Sequence, residues 1–249
     1  MTTGLDLLAP DLGVPGVAVR VTTRRGGVSS GPFSTLNLAL HVGDAPASVA
    51  ENRHRLERAL SSRAVSWLQQ IHGIDVCEGN ACEVHTADAQ WTCKQSLVLA
   101  VLTADCLPVV FAARDGSCVG VAHAGWRGLA DGVLESLLKR FPAPREEIIA
   151  WLGPAIGREA YEVGPEVRRT FLNCMGATGE SGFQASRRTQ GHWMADLSFL
   201  AKQRLVDAGV AAVLGGDGCT YRDAATFFSH RRDGPSTGRM ATLVWREPR

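Results

Sequence analysis

Long apolar runs are missing from this 249-residue chain: none reaches the ~18 residues that a membrane span needs, so no membrane partner is expected. Excess charge is missing too. Lys and Arg number 26 against 25 Asp and Glu, a net charge of +1, which leaves no global basic field to recruit nucleic acid. The N-terminal residues up to Gly13 lack the basic start of a secretory leader. No two cysteines stand at CxxC spacing, and an odd total of seven cannot all pair within one chain. That low, unpatterned use suits a reducing, cytoplasmic setting. No Pro/Ser-rich linker and no internal repeat divides the sequence, so residues 1–249 read as a single domain. What is present is 45% hydrophobic and 20% charged residues, a globular composition. At this length folding hides about three quarters of the unfolded surface, and the core needs no disulfide staple.

The apolar spans 97–102, 107–113, 117–122 and 148–152 predict strands, with Arg114-Asp115-Gly116 as a hairpin turn. Spans 16–23, 65–71, 210–214, 224–228 and 239–245 predict further strands. Pro46 opens a helix to about Leu60. Arg127–Phe141, Pro165–Cys174 and Leu197–Ala208 predict three more, the last with Asp196 at its N-cap. Residues 1–15 read as an irregular lead-in, 24–37 as a Gly/Ser-rich loop, and 174–190 as a mobile loop. Hairpins and helices mix without βαβ alternation, which argues for an α+β fold with mixed sheets.

Chemistry concentrates where apolar strands stop at Gly or Pro. His72 ends Gln69-Gln70-Ile71-His72-Gly73, Cys106 sits in Thr103-Ala104-Asp105-Cys106, and His123 opens His123-Ala124-Gly125-Trp126-Arg127-Gly128. Two imidazoles and a thiolate suit Zn²⁺ and leave a fourth position open, as in catalytic zinc sites. Such a metal brings the pKa of its water to about 7. Asp105 is a candidate to orient a histidine or to carry protons. The spacings, 34 and 17 residues, form no zinc signature by themselves. The same residues also read as satisfied core histidines with a buried thiol, or as a metal-free Cys106–His dyad of a hydrolase.

The motifs TTRRGGVSSGPFSTLNLALHVGD (22–44), QQIHG (69–73), TADCLPV (103–109), AHAGWRG (122–128), LGPAIG (152–157), YEVGPEV (161–167) and SHRRDGPSTGRMATLVW (229–245) closely resemble the YfiH family. It is also called the laccase-domain or multicopper polyphenol oxidoreductase family, and its members are described as purine nucleoside phosphorylases. The resemblance implies a single layered α/β sandwich with mixed β-sheets. It places the family's metal ligands on His72, Cys106 and His123, with Zn²⁺ as cofactor and Cu²⁺ as the alternative. It implies phosphorolysis of adenosine, inosine, guanosine and S-methyl-5′-thioadenosine, with deamination of adenosine. A purine nucleoside and phosphate are then the partners.

The residues also weigh the oxidase reading that the family name carries. Seven histidines without one His-X-His pair cannot furnish a laccase cluster, although His72, Cys106 and His123 could hold one copper. Phosphorolysis needs an anion cradle. Arg127, beside a predicted helix start, is the first phosphate candidate; Arg24 and Asn37 of the Gly-rich loop are the second. Each has a structural alternative, an ion pair for the arginines and a turn-forming role for Asn37. Arg231, Arg232 and Arg239 read as structural ion pairs first and as anion binders second.

Overall fold

Apolar runs that show no alternation belong to strands covered on both faces, and the computed structural model, which describes residues 5–248, bears this out. In chain order the strands are β1 (Leu7–Leu8), β2 (Val17–Thr22), β3 (Val65–Ser66), β4 (Leu68–Gln69), β5 (Val76–Glu78), β6 (His85–Thr86), β7 (Ala89–Thr92), β8 (Val98–Thr103), β9 (Leu107–Ala113), β10 (Val119–Ala124), β11 (Ile148–Leu152), β12 (Glu162–Val163), β13 (Phe183–Ala185), β14 (Trp193–Ala195), β15 (Ala212–Gly215) and β16 (Met240–Arg246). The α-helices are α1 (Pro46–Ala59), α2 (Trp126–Asp131), α3 (Val133–Arg140), α4 (Pro165–Glu180), α5 (Leu197–Asp207) and α6 (His230–Asp233).

One sheet has the order β1-β2-β16-β8-β3 and a second the order β15-β11-β9-β10-β7-β5. Both are mixed: β3 runs parallel to β8, and β15 and β5 run parallel to their neighbours at the two edges of the second sheet. Period-two alternation sorts the side chains into layers. Leu99 and Val101 of β8 meet Val110 and Ala112 of β9 between the sheets. Val98, Ala100 and Leu102 face the other way, onto Leu56 of α1 and onto Leu36 and Leu38. Leu107, Val109 and Phe111 pack on Leu134, Leu137, Phe171 and Leu200 of α3, α4 and α5. The result is a four-layer helix–sheet–sheet–helix sandwich. No helix among the described residues is long and apolar enough to cross a membrane.

The expected helix over 127–141 is two helices. Gly132 at φ +101 ends α2 and starts α3, a backbone state that side chains other than glycine rarely adopt. Arg204 of α5 completes the break: it donates to the freed carbonyl of Ala130 at 3.0 Å and pairs with Glu135 at 2.6 Å. The expected strand over 224–228 is a series of turns, because Arg24, Arg25 and Arg232 take the carbonyls of Ala224, Ala225 and Phe227 that a ladder would have used. The stretch 174–190 is ordered instead of a mobile loop. The expected helix breaks at Gly176, φ +57, and helical turns resume to Glu180; Arg168 pairs with Glu180 at 2.7 Å, and Phe183 of β13 packs on Phe171. The lead-in contains β1, while its first four residues lie outside the described range. Cys93 and Cys118, expected as thiols, form a disulfide just beyond the Thr92–Val119 pair of β7 and β10.

Candidate metal centre and its cavity

The ends of three chain segments converge at one end of the sandwich. β10 delivers His123 opposite Pro108 of β9, the turn between β8 and β9 delivers Cys106, and the segment after β4 delivers His72. One nitrogen of each ring and the Cys106 Sγ all lie within 4.8 Å of one another. Cys106 Sγ is 3.9 Å from His72 Nε2, and the two rings meet edge to face with centroids 4.7 Å apart. Zinc bonds of ~2.0–2.3 Å put tetrahedral donors roughly 3.5 Å apart, so small shifts bring this set around an ion. It is the one group of three or more His, Cys, Asp or Glu ligand atoms of this closeness among the described residues. Gly125 leaves the room. A Cβ there would stand 3.0 Å from His72 Cδ2 and 3.1 Å from Cys106 Sγ.

One carboxylate that the sequence reading missed organises the centre. Asp88, fully buried, accepts from His123 Nδ1 at 2.8 Å. An ionised carboxylate only accepts, so the proton sits on Nδ1 and the Nε2 lone pair is left for a metal. Asp88 also accepts the backbone N–H groups of Ile71, His72 and Gly73 at 3.1, 3.0 and 2.7 Å, fixing the turn in which His72 takes φ +61. Its only signal in the sequence is an acid between Ala87 and Ala89 at the entrance to an apolar strand. The expectation that Asp105 orients a histidine is therefore corrected. Asp105 Oδ1 accepts from Thr220 Oγ1 at 2.6 Å, and its Oδ2 accepts from Ser229 Oγ at 3.0 Å and Arg231 N at 2.7 Å. Asp105 thus ties the Cys106 turn to α6.

Burial works against a charged Asp88, yet the His123 ring and the Gly73 and Ile71 amides hold its pKa below the ordinary carboxylate range. Burial also penalises a Cys106 thiolate. The facing His123 cation and hydrogen bonds from both rings outweigh it and bring the thiol down to about 6. The same thiolate, with Asp88, lifts His123 to about 9 against its own burial. A thiolate beside an imidazolium is the result. In metal-stripped protein, iodoacetamide labelling of Cys106, followed by peptide mass spectrometry, is expected to reach half its maximal rate near pH 6. Zinc is expected to block it. A midpoint near the ordinary thiol value of ~8.5 would show that no imidazolium pairs with the sulfur.

The trio opens into a cavity of about 320 Å³, within the usual range for small-molecule sites. Leu102, Ala104, Trp126, Ile156 and Leu197 supply apolar wall. The 153–157 turn stands beside the site: Ile156 N donates to Asp105 O at 2.9 Å. Tyr161 also lines the cavity, and burial pushes its phenol up, so it stays a neutral donor. His41 is pushed down by burial and then by the cations Arg239 and Arg53 and by His72.

Of the phosphate candidates, Arg127 reaches the cavity, in the first turn of α2 with its guanidinium 4.4 Å from the centre of the Trp126 ring. Arg24 and Asn37 are not among the residues that line it. Arg24 donates to Ser34 O and Ala224 O and lies over the Phe228 ring. Asn37, fully buried, donates to Ala39 O and Asp44 and accepts from Ala39 N and Arg239 N. Both hold loops together. The C-terminal arginines divide: Arg232 pairs with Asp233 at 2.7 Å, while Arg231 and Arg239 line the cavity.

Fold and site together define a double-sheet sandwich protein with a His-Cys-His group that could hold a metal ion. The chain belongs to the family described as multi-copper polyphenol oxidoreductase laccase, which it matches over residues 18–247. It is 48% identical to the purine nucleoside phosphorylase YfiH of Escherichia coli K12, over 96% of this chain and 98% of that protein. It is likewise 48% identical to a purine nucleoside phosphorylase of Pseudomonas aeruginosa, over 96% and 97% of the two chains. A crystal structure of a Neisseria meningitidis protein superposes with a TM-score of 0.91 at 42% identity, covering 97% of this chain and 99% of that one.

Proposed function

We propose that the protein is a zinc-dependent purine nucleoside enzyme. It splits adenosine, inosine, guanosine and S-methyl-5′-thioadenosine with phosphate, and it deaminates adenosine. The observation that carries this reading is the opening of His72, Cys106 and His123 into one cavity that combines apolar walls with arginines. The names of the relatives support the phosphorolysis. The donor set fits zinc, with two imidazoles, one thiolate and a carboxylate behind His123. When bound, the metal supplies a fixed positive charge that polarises an oxygen or nitrogen of the substrate.

The chain's own residues do the rest. Trp126, Ile156 and Leu197 exclude water and take the flat base. In phosphorolysis a phosphate oxygen bonds to C1′ as the C1′–N9 bond breaks. The electron pair leaves with N9, and the proton of hydrogen phosphate ends on the base. In deamination water replaces the 6-amino group, which leaves as ammonia. Asp88 keeps His123 in one tautomer throughout. Tyr161, its hydroxyl free of any partner among the described residues, offers a neutral hydrogen bond to the sugar or base.

A second reading rests on one observation. Cys106, His123 and Asp88 stand in the order nucleophile, base, orienting acid, as in a cysteine hydrolase. A copper oxidase reading has, among the described residues, a single three-ligand group to draw on. The test is chromatography of the products from adenosine with and without phosphate. Adenine that forms only with phosphate, beside inosine that forms in either case, is expected. Neither product from zinc-loaded protein would move the activity to another substrate.

A further inference from the structure

We propose that Arg127, Arg231 and Arg239 form a subsite for a phosphoryl anion in the cavity beside His72, Cys106 and His123. Its role in turnover rests on the phosphorolysis reading; its capacity to bind an anion rests on the charges alone.

Several arginines elsewhere in the molecule find carboxylates, while Arg24 and Arg53 spend donors on backbone carbonyls. Arg63, Arg158, Arg168, Arg204 and Arg232 meet Glu247, Asp196, Glu180, Glu135 and Asp233 at 2.6 to 3.2 Å. The three at the cavity meet none among the described residues. Arg239, half-buried, gives Nη1 to the carbonyls of Thr237 and Gly238 at 2.7 and 3.1 Å, and its remaining side-chain N–H groups meet no acceptor among the described residues. Arg231 gives Nη1 to Glu162 O at 2.8 Å, with its guanidinium 5.2 Å from the Tyr161 ring centre. Arg127, exposed, rests on Trp126 and makes no side-chain hydrogen bond among the described residues. All three line the same cavity.

The nearby acid makes no ion pair with their side chains among the described residues. Asp105 spends both oxygens on Thr220, Ser229 and the backbone amide of Arg231. Three guanidinium groups that line one cavity and meet no carboxylate at ion-pair distance keep N–H donors for a bound anion. A planar fork of N–H donors matches the oxygens of phosphate. Aromatic rings under two of the guanidinium groups hold them in place without using their donors. The loops that carry them are pinned as well: Arg239 N donates to Asn37 Oδ1 at 3.0 Å, and Arg231 N to Asp105. That assigns Asn37 an indirect part in anion binding, through the backbone that presents Arg239.

The phosphoryl group could belong to orthophosphate or to the substrate itself, and calorimetry separates the two. Zinc-loaded full-length protein is titrated with orthophosphate and, separately, with adenosine 5′-monophosphate. The same is done for Arg127→Gln, Arg231→Gln and Arg239→Gln, each checked for an unchanged thermal midpoint. Orthophosphate is expected to bind, and each substitution to weaken it at least about tenfold. In turnover, the rise in KM for phosphate is expected to exceed any rise in KM for adenosine by about the same factor. Weakening confined to adenosine 5′-monophosphate would keep the subsite and place it under a phosphoryl group of the substrate. Loss of phosphate binding in variants of a protein that forms no adenine would keep the subsite and remove the phosphorolysis reading. Wild-type affinity for both ligands in all three variants, or no binding of either by the wild type, would overturn the proposal.

Discussion

Cys106→Ala is expected to abolish turnover, by at least about a thousandfold, and to lower bound zinc from near one per chain to a trace. Cys106 is the only anionic donor in the trio, and its thiolate is already favoured by the facing rings before any metal arrives. Its removal deletes a short side chain at a partly exposed position, so the thermal midpoint of metal-free protein is expected to move little. His123→Ala is expected to lose the same activity and metal but to unfold more easily. It leaves Asp88 buried with only the amides of Ile71, His72 and Gly73 as partners, a loss of up to about 3–5 kcal/mol, the range for breaking a buried pair. The paired variants therefore separate a ligand from a structural core residue. Both are read by elemental analysis, adenosine turnover and thermal melts. Undiminished phosphorolysis and deamination in the two would remove the metal centre from the account.

Asp88→Asn is the second large effect, and it acts at a distance from substrate. Asparagine keeps one acceptor oxygen, but its amide places donors against the amides of Ile71, His72 and Gly73 or against His123 Nδ1. Either His123 changes tautomer or the His72 turn opens. Loss of a carboxylate behind a metal-bound histidine typically weakens metal binding 10–100-fold, and that range is expected here in a zinc competition titration. Asp88→Glu, which keeps the charge, is expected to recover part of it. The acid limb of stability is expected to change as well. Because the native Asp88 pKa is depressed, its contribution is complete above the unfolded carboxylate value of ~3.9 and fades as pH falls through the lower native value. The variant is expected to lack that component of acid unfolding. An Asp88→Asn protein with wild-type zinc affinity would show that the backbone alone holds the two histidines.

Much of this was legible in the sequence, for a physical reason. Strands buried on both faces are uninterrupted apolar runs, so 107–113 and 148–152 are β9 and β11 to the residue. The N-cap Asp196 accepts from Phe199 N at 2.9 Å, as its position before α5 predicts. His72, Cys106 and His123 stand out because each interrupts such a run at a strand end. What was not legible depends on contacts between distant residues. Arg24 has the composition of an anion ligand, yet carbonyls 10 and 200 positions away claim its donors. Asp88 lies 35 positions before the histidine it orients, and nothing local distinguishes it from Asp105. The third sheet, β12-β14-β13, has strands of two or three residues, too short for any period to register. The split between α2 and α3 required the positive φ at Gly132, which an apolar helical stripe continuing into Phe141 conceals.

The most direct test of the central claim is a titration of zinc into metal-stripped protein, with ribose 1-phosphate formed from adenosine and phosphate as the readout. The expected result is turnover that rises from near zero in proportion to added zinc and levels off at one equivalent per chain. Full turnover without metal would contradict the account and show that the protein's own residues carry the phosphorolysis.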